Sequence, residues 1–132
     1  MEKEKQISDE NNPISSAIIG AAIEVHKHLG PGLLESAYEQ CMCHELALRK
    51  VSFSCQLSMP VEYKGVKLDC GYRLDLLVAD QVIVELKAVD LVSDVHKAQL
   101  LTYLRLAKMK IGLLINFNVP YLRDGIVRLV LD

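Results

Sequence analysis

Residues 72–87 read YRLDLLVADQVIVELK, two apolar runs joined by a short polar segment. Runs of this length that are rich in Leu, Val and Ile and flank a polar turn predict a β-hairpin. A three-residue loop places Val78 opposite Val82, and this register in turn places Asp75 opposite Glu85. The hairpin is therefore predicted to oppose two carboxylates.

The same register divides the hairpin into two faces, because side chains alternate along a strand. One face is predicted to place Arg73, Asp75 and Leu77 against Lys87, Glu85 and Ile83. The other is predicted to be wholly apolar and to consist of Tyr72, Leu74, Leu76, Val78, Val82, Val84, Leu86 and Ala88.

The opposed carboxylates of Asp75 and Glu85 require a compensating cation. Directly opposed Cβ atoms in a sheet lie about 5 Å apart, and like charges at this separation repel. Joint coordination of one divalent ion removes the repulsion, and carboxylate oxygens are ligands that Mg²⁺ prefers. Lys87 points to the same side as Glu85, where it could orient a water molecule or stabilise charge on a phosphate.

An ion-pair network is the alternative for these charges, with Arg73 and Lys87 neutralising Asp75 and Glu85. The surrounding sequence favours a site instead. Residues 82–89, VIVELKAV, are apolar on both faces apart from Glu85 and Lys87. This is expected of a central strand, where charge is costly unless it is well paired or serves a site.

Three segments outside the hairpin have the apolar spacing of helices. Asn12 with Pro13 predicts the start of the first helix, and Ser93 can cap the third. Gly30-Pro31-Gly32 separates the first helix from the second. The predicted helices run from 13 to about 29, from the glycine break to about 49, and from 94 to about 108.

Apolar runs also predict the remaining strands. These strands cover 51–59, 61–63, 66–68, 111–116 and 126–131, with Pro60 ending the first of them. Together with the hairpin they give the order ααβββββαββ. This order describes an α/β (α+β) domain in which helices pack against one mixed central sheet.

Length and composition predict one domain and a soluble environment. The 132 residues suit a single domain over 13–132, preceded by a flexible segment, residues 1–12. No secretory signal or membrane-spanning run is evident, so a cytoplasmic location without membrane contact is expected. The four cysteines lack zinc or disulfide spacing and are predicted to be reduced.

The formal charge gives little support for a nucleic-acid partner by itself. The net value is -2, and only a weak basic bias lies downstream. The bias comes from Lys97, Arg105, Lys108 and Lys110, a group too small to argue nucleic-acid binding alone.

Two groups of residues resemble known nuclease motifs. Asp75 is followed ten residues later by Glu85-Leu86-Lys87, and Gln99 and Tyr103 lie four residues apart on one face of the next helix. This combination resembles the PD-(D/E)XK nuclease superfamily, the second element being similar to the Q-x-x-x-Y motif of its RecB-like branch. The position before Asp75 is Leu74 rather than the Pro of the superfamily motif.

A third group of residues lies upstream, in the second predicted helix. Gly32, Glu35 and Tyr38 match the pattern that names the GxxExxY family of the same superfamily. The resemblance spans about residues 14–131, nearly the whole chain.

The resemblance implies a fold, a cofactor and roles for six residues. The fold is a restriction-endonuclease-like core, and the substrate is nucleic acid, with DNA expected rather than RNA. Mg²⁺ or Mn²⁺ would be held by Asp75 and Glu85 with Glu35 as a supporting acid. Lys87 would be catalytic, and Gln99 and Tyr103 would position the attacking water or the scissile phosphate. A homodimer would enlarge the grip on the substrate.

Each supporting residue also has a structural interpretation. Glu35 could only favour the positive end of the second helix. Tyr38 is expected to pack in the core with a tethered hydroxyl. Gln99 and Tyr103 could form a solvated stripe with an aromatic edge. The alternative for the whole protein is a catalytically inactive module of the same fold that binds nucleic acid or another protein.

Overall fold

The computed structural model describes residues 2–5 and 12–131, which form one sheet flanked by three helices. In chain order the elements are β1 (Glu2–Lys5), α1 (Pro13–Leu29), α2 (Glu35–Leu48), β2 (Phe53–Tyr63), β3 (Val66–Val78), β4 (Val82–Lys87), α3 (Asp94–Ala107), β5 (Ile111–Asn116), a short 3-10 helix (Leu122–Gly125) and β6 (Ile126–Leu131).

The sheet has six strands in the order β1-β6-β5-β4-β3-β2. The β4–β5 pair is parallel and the other pairs are antiparallel. The chain passes from β4 to β5 through α3, as a parallel connection requires. The predicted α+β domain with a mixed central sheet is thus confirmed.

Two apolar cores lie on opposite faces of the sheet, because neighbouring residues of β4 alternate between them. Val84 packs with Ile18 of α1 and Met42 of α2. Ile83 packs with Leu100 of α3 on the other face. β4 is therefore the middle strand of a three-layer structure, and residues 82–86 are all buried.

The predicted starts of α1 and α3 are confirmed by their caps. Asn12 Oδ1 accepts the N–H of Ile14 at 2.9 Å and that of Ser15 at 3.0 Å. Ser93 Oγ accepts the N–H of His96 at 3.3 Å, and His96 Nδ1 accepts the N–H of Ser93 at 3.1 Å. The two reciprocal bonds form a capping box, which satisfies N–H groups that the first turn leaves unpaired.

The predicted strands between 51 and 78 are confirmed as extended structure from Phe53 onward, but two of the predicted breaks, at Pro60 and over 69–71, are wrong because the segments form one long hairpin of β2 and β3. Pro60 does not end the strand but lies at an irregularity of the ladder between Met59 and Val61. β2 is an edge strand, where a proline without an N–H is tolerated, especially at a bulge. β4 ends at Lys87, two residues before the predicted end.

The N-terminal segment also differs from the prediction of a flexible 1–12. Glu2–Lys5 form β1, which pairs with β6 from Glu2 opposite Leu131 to Lys5 opposite Arg128. The rest of the predicted flexible segment, apart from Asn12, lies outside the described residues.

Two further sequence expectations concern the thiols and the membrane. The four cysteines are free, as predicted; most were also expected to be packed, but Cys41 and Cys43 are only partly buried and Cys55 and Cys70 are exposed. Among the helices described, none combines the length and apolar character needed to cross a bilayer.

Tyr38 fixes the loop between α1 and α2. Its hydroxyl donates to the carbonyl of Gly30 at 2.6 Å and accepts the N–H of Leu33 at 3.1 Å. Its ring stacks on Phe117 with centroids 4.4 Å apart and planes at 6°. The side chain is completely buried, so the expectation of core packing with a tethered hydroxyl is confirmed.

Tyr38→Phe should lower the free energy of unfolding by about 1–2 kcal/mol, because the ring stays stacked while both hydroxyl hydrogen bonds are lost. Urea denaturation followed by circular dichroism measures this change. Tyr63→Phe is the matched control at an exposed ring, where a change below about 0.5 kcal/mol is expected. Equal unfolding midpoints for Tyr38→Phe and the parent protein would contradict the role of the hydroxyl.

Candidate active site

The predicted register of the central hairpin is confirmed for three residue pairs, and the regular ladder ends before the two carboxylates. The β3–β4 ladder pairs Val78 with Val82 and runs to Leu76 opposite Val84. Beyond that point, Asp75 N–H donates to Glu85 Oε2 at 2.9 Å. In return, Leu86 N–H donates to Asp75 Oδ2 at 2.8 Å. Each carboxylate thus accepts a backbone N–H of the opposite strand.

β2 and β3 carry a matched interruption at Gln56 and Asp75. The ladder between these strands skips this pair, and Gln56 has a left-handed φ of 50°. The strands face different layers on the two sides of the interruption, since Leu76 belongs to the α1/α2 core and Leu74 to the α3 core. Residues two apart in a regular strand would share one face.

The predicted apolar face of the hairpin is therefore wrong for Tyr72 and Leu74. Strict alternation places them with Leu76, but the interruption at Asp75 shifts the alternation by one residue. Tyr72 instead packs edge-to-face on Tyr103 of α3, with ring centroids 6.1 Å apart.

The carboxylates of Asp75 and Glu85 are held where negative charge is costly. Glu85 is only 5 % exposed. Burial and the neighbouring charge of Asp75 raise the pKa of Glu85 to about 8, against the opposing effects of the Asp75 N–H and the positive charge of Lys87. Burial also raises the pKa of Asp75, against the Leu86 N–H and the charge of Lys87. The surrounding positive charge therefore does not balance two ionised carboxylates.

The alternative of an ion-pair network is not formed. Among the described residues, neither Arg73 nor Lys87 makes an ion pair with Asp75 or Glu85; the pairs found include Arg49 with Glu45, on α2. Arg73 is exposed and Lys87 half-buried. The positive charge of Lys87 still lowers the pKa of both carboxylates, which keeps it within the site.

α3 brings its two predicted residues to the same side of the sheet. Tyr103 is 5 % exposed, and its pKa is raised by burial, by the charge of Glu85 and by smaller effects of Tyr72 and Asp75. Gln99 is exposed and lines the same cleft as Tyr103. The alternative of a solvated stripe with an aromatic edge is thus wrong for Tyr103, which is buried, lines the cleft and lies within reach of the carboxylate charges.

Comparison with protein families agrees with this geometry. A family profile described as the PD-(D/E)XK nuclease superfamily matches residues 12–129. The chain belongs to this superfamily. Searches of curated proteins and of solved structures each gave no significant match.

The carboxylate pair of this PD-(D/E)XK domain fits a hard divalent cation by its chemistry. One oxygen of each carboxylate is fixed by a backbone N–H, and oxygen ligands of this type suit Mg²⁺. In residues 2–5 and 12–131, no group of three or more His, Cys, Asp or Glu side chains is placed to hold a metal. Asp75 and Glu85 are brought together, while Glu35 does not complete a ligand group with them.

Glu35 nevertheless lies close enough to Glu85 for its charge to act there. It is exposed in the first turn of α2 and makes no side-chain cap there, since the cap residue is Leu34. Its charge contributes, as the smallest of several causes, to the raised pKa of Glu85. Its part in binding a metal stays a prediction.

Two residues near the carboxylates were not predicted, Glu39 and Gln56. Gln56 Nε2 donates to Glu39 Oε1 at 2.6 Å, and a hydrogen bond from Gln56 also opposes the effect of burial on the pKa of Asp75. Burial raises the pKa of Glu39, Gln56 opposes this rise, and the charges of Asp75 and Glu35 add to it. The amide of Gln56 therefore links α2 to the hairpin.

A sequence signal existed for only one of these two residues. Glu39 follows Glu35 by four residues, so a helix places both acids on one face. Gln56 gave no signal, because a polar residue on a partly exposed edge strand is ordinary.

The raised pKa of Glu85 predicts how the stability of the metal-free protein depends on pH. The folded state keeps the proton up to about pH 8, whereas the unfolded chain releases it near about pH 4.3. The contribution of Glu85 to the free energy of unfolding is therefore fully present below the unfolded pKa and is lost as the pH rises through about 8.

Glu85→Gln keeps a neutral side chain of the same shape and should remove this pH dependence. We expect the variant to match the parent near about pH 5 and to be more stable near about pH 9. Urea denaturation at both pH values, in the presence of a chelator, measures the stability of the variant and of the parent. Asp80→Asn is a control at an exposed carboxylate of the same hairpin. Parallel pH profiles for Glu85→Gln and the parent would contradict the buried proton.

Proposed function

We propose that this PD-(D/E)XK protein is a metal-dependent nuclease that hydrolyses phosphodiester bonds of nucleic acid. The observation that carries the proposal is the pair of carboxylates, Asp75 and Glu85, each fixed by an N–H of the opposite strand. Burial and mutual repulsion disfavour two negative charges at this pair, and an added cation would compensate for them. Lys87, on the same strand as Glu85, completes the D…E-x-K motif.

Asp75 and Glu85, with Glu35 as a supporting acid, would hold Mg²⁺ or Mn²⁺, which neutralises charge on the phosphate and lowers the pKa of water. Lys87 would orient the attacking water and stabilise the negative charge that develops on the phosphate oxygens. Its position is consistent with this role, because its charge already acts on both carboxylates.

The residues of α3 would position the reactants. Tyr103 lies within electrostatic reach of Glu85 and can hydrogen-bond a phosphate or water through its hydroxyl. Gln99 lines the neighbouring cleft and offers both a donor and an acceptor. Neither group needs to ionise for this task.

We also propose a narrower placement for the chain within its superfamily. Gly32, Glu35 and Tyr38 support the GxxExxY family, and Gln99 with Tyr103 supports the RecB-like branch. This placement favours DNA over RNA as substrate, a cytoplasmic location and a homodimer.

Purified protein incubated with single- and double-stranded DNA and RNA tests the proposal. We expect cleavage with Mg²⁺ or Mn²⁺ and none in a chelator. Asp75→Asn and Lys87→Met should each lower the rate by about 100-fold or more, because each removes stabilisation of the transition state. Asp80→Asn, the exposed control of the same hairpin, should retain the parent rate. Equal rates for Asp75→Asn and the parent would point to a contaminating nuclease.

A binding module without turnover is the second candidate. The lack of a three-member ligand group among the described residues favours it. Detectable nucleic-acid binding by fluorescence anisotropy, together with no cleavage under any metal condition, would replace the first proposal by this one.

A further inference from the structure

A cleft next to α3 enters the hydrolysis described above only through two of its lining residues, Gln99 and Tyr103. It has a volume of about 540 Å³ and lies between the outer part of the β2–β3 hairpin and α3. Its lining residues are mostly apolar, and none is acidic: Val61, Cys70, Tyr72, Gln99, Thr102, Tyr103 and Leu106. A cleft of this size and character suits a planar apolar group with a few polar atoms.

Tyr72 gives the cleft an accessible aromatic side chain. Its side chain is 45 % exposed, although it is fixed on one side by the edge-to-face contact with Tyr103 at 6.1 Å. An exposed ring that is already held in place can stack a base at little entropic cost. The amide of Gln99 and the hydroxyl of Thr102 could then contact the polar edge of that base.

Tyr103 connects the cleft with the candidate site. Tyr103 belongs to its lining and is also close enough to feel the charges of Glu85 and Asp75. Tyr72 precedes Asp75 by three residues, a separation of about 10 Å along an extended strand. A nucleotide next to a phosphate at the carboxylates could bridge this separation.

The charge at the rim of the cleft suits the same ligand. Arg105 Nη2 donates to Thr102 Oγ1 at 3.2 Å, which places a guanidinium beside the lining. A phosphate that follows the stacked base would therefore meet positive charge, whereas the scissile phosphate meets the metal ligands.

We infer that this cleft binds an unstacked nucleobase next to the scissile phosphate, with Tyr72 as the stacking residue, so that the substrate is single-stranded nucleic acid. The bases of a duplex are stacked and paired and could not reach Tyr72 without being extruded. The inference deepens the proposed function and rests on it for the position of the phosphate.

Binding of fluorescein-labelled single-stranded and duplex oligonucleotides tests the inference. The measurement uses fluorescence anisotropy in the Lys87→Met background, so that cleavage does not interfere. Tyr72→Leu should weaken single-strand binding by about 5- to 100-fold, the range of stacking on one aromatic side chain. Tyr72→Phe keeps the ring and should bind within about twofold of the background protein.

Two controls separate stacking from general damage. Tyr121→Leu removes an exposed tyrosine that lies outside the cleft and should leave binding unchanged. A series of oligonucleotides, each with one abasic position at a different place, should contain a member whose binding to the background protein is weakened as much as Tyr72→Leu weakens binding of the intact strand. That member should lose nothing further in the variant.

The outcomes distinguish this inference from the proposed function. Cleavage by the parent protein, with equal single-strand affinity for Tyr72→Leu, would overturn the inference and leave the nuclease intact. Single-strand binding that depends on Tyr72, without any cleavage, would support the base-binding cleft and contradict the proposed nuclease activity. Tighter binding of duplex than of single strands would overturn the inference. The inference would also be overturned if Tyr72→Leu dissociated a dimer and left the single-strand affinity unchanged.

Discussion

Two hydrogen bonds at the centre of the sheet determine the local structure around them. Asp75 N–H donates to the carboxylate of Glu85, and Leu86 N–H donates to the carboxylate of Asp75. These bonds take the place of the next rung of the β3–β4 ladder, so both backbone groups stay paired although the strands are no longer in regular register. The carboxylates are thereby both the proposed metal ligands and the links that close the hairpin around them.

This arrangement places two carboxyl groups in the middle layer of a three-layer domain. Val82, Ile83, Val84 and Leu86 of β4 are apolar and buried, and a charge among such residues is retained only with strong compensation. Backbone N–H groups and the charge of Lys87 compensate only in part, as the pKa of Glu85 near about 8 indicates. A bound cation would stabilise the doubly ionised pair that the metal-free protein avoids by keeping a proton on Glu85, which is the physical basis for the metal chemistry proposed.

The sequence predicted the features that follow from local periodicity. The hairpin register, the caps at Asn12 and Ser93 and the buried β4 all follow from apolar spacing and turn length. The shifted alternation at Gln56 and Asp75 could not be predicted, because a glutamine in left-handed conformation has no signature in the sequence. β1 was missed because four charged residues carry no apolar pattern, so its pairing with β6 is visible only in the backbone register.

The site was predicted in part for the same reasons. Asp75, Glu85 and Lys87 followed from register and motif, whereas Glu39 and the amide of Gln56 depend on how α2 lies against β2. That packing is a tertiary property, and no spacing within one element reports it. The predicted position of Tyr72 was wrong because it depends on the shift of alternation at Gln56 and Asp75.

The two edges of the sheet constrain how copies of the chain can associate. β2 carries Pro60 at an irregularity of its ladder, and β1 is only four residues long. A neighbouring molecule would find no long, uninterrupted row of backbone donors and acceptors at either edge. Joining sheets edge to edge is therefore unfavourable, so a homodimer would have to form through helices or side-chain surfaces. The same edges protect the folded protein against open-ended aggregation into extended sheets.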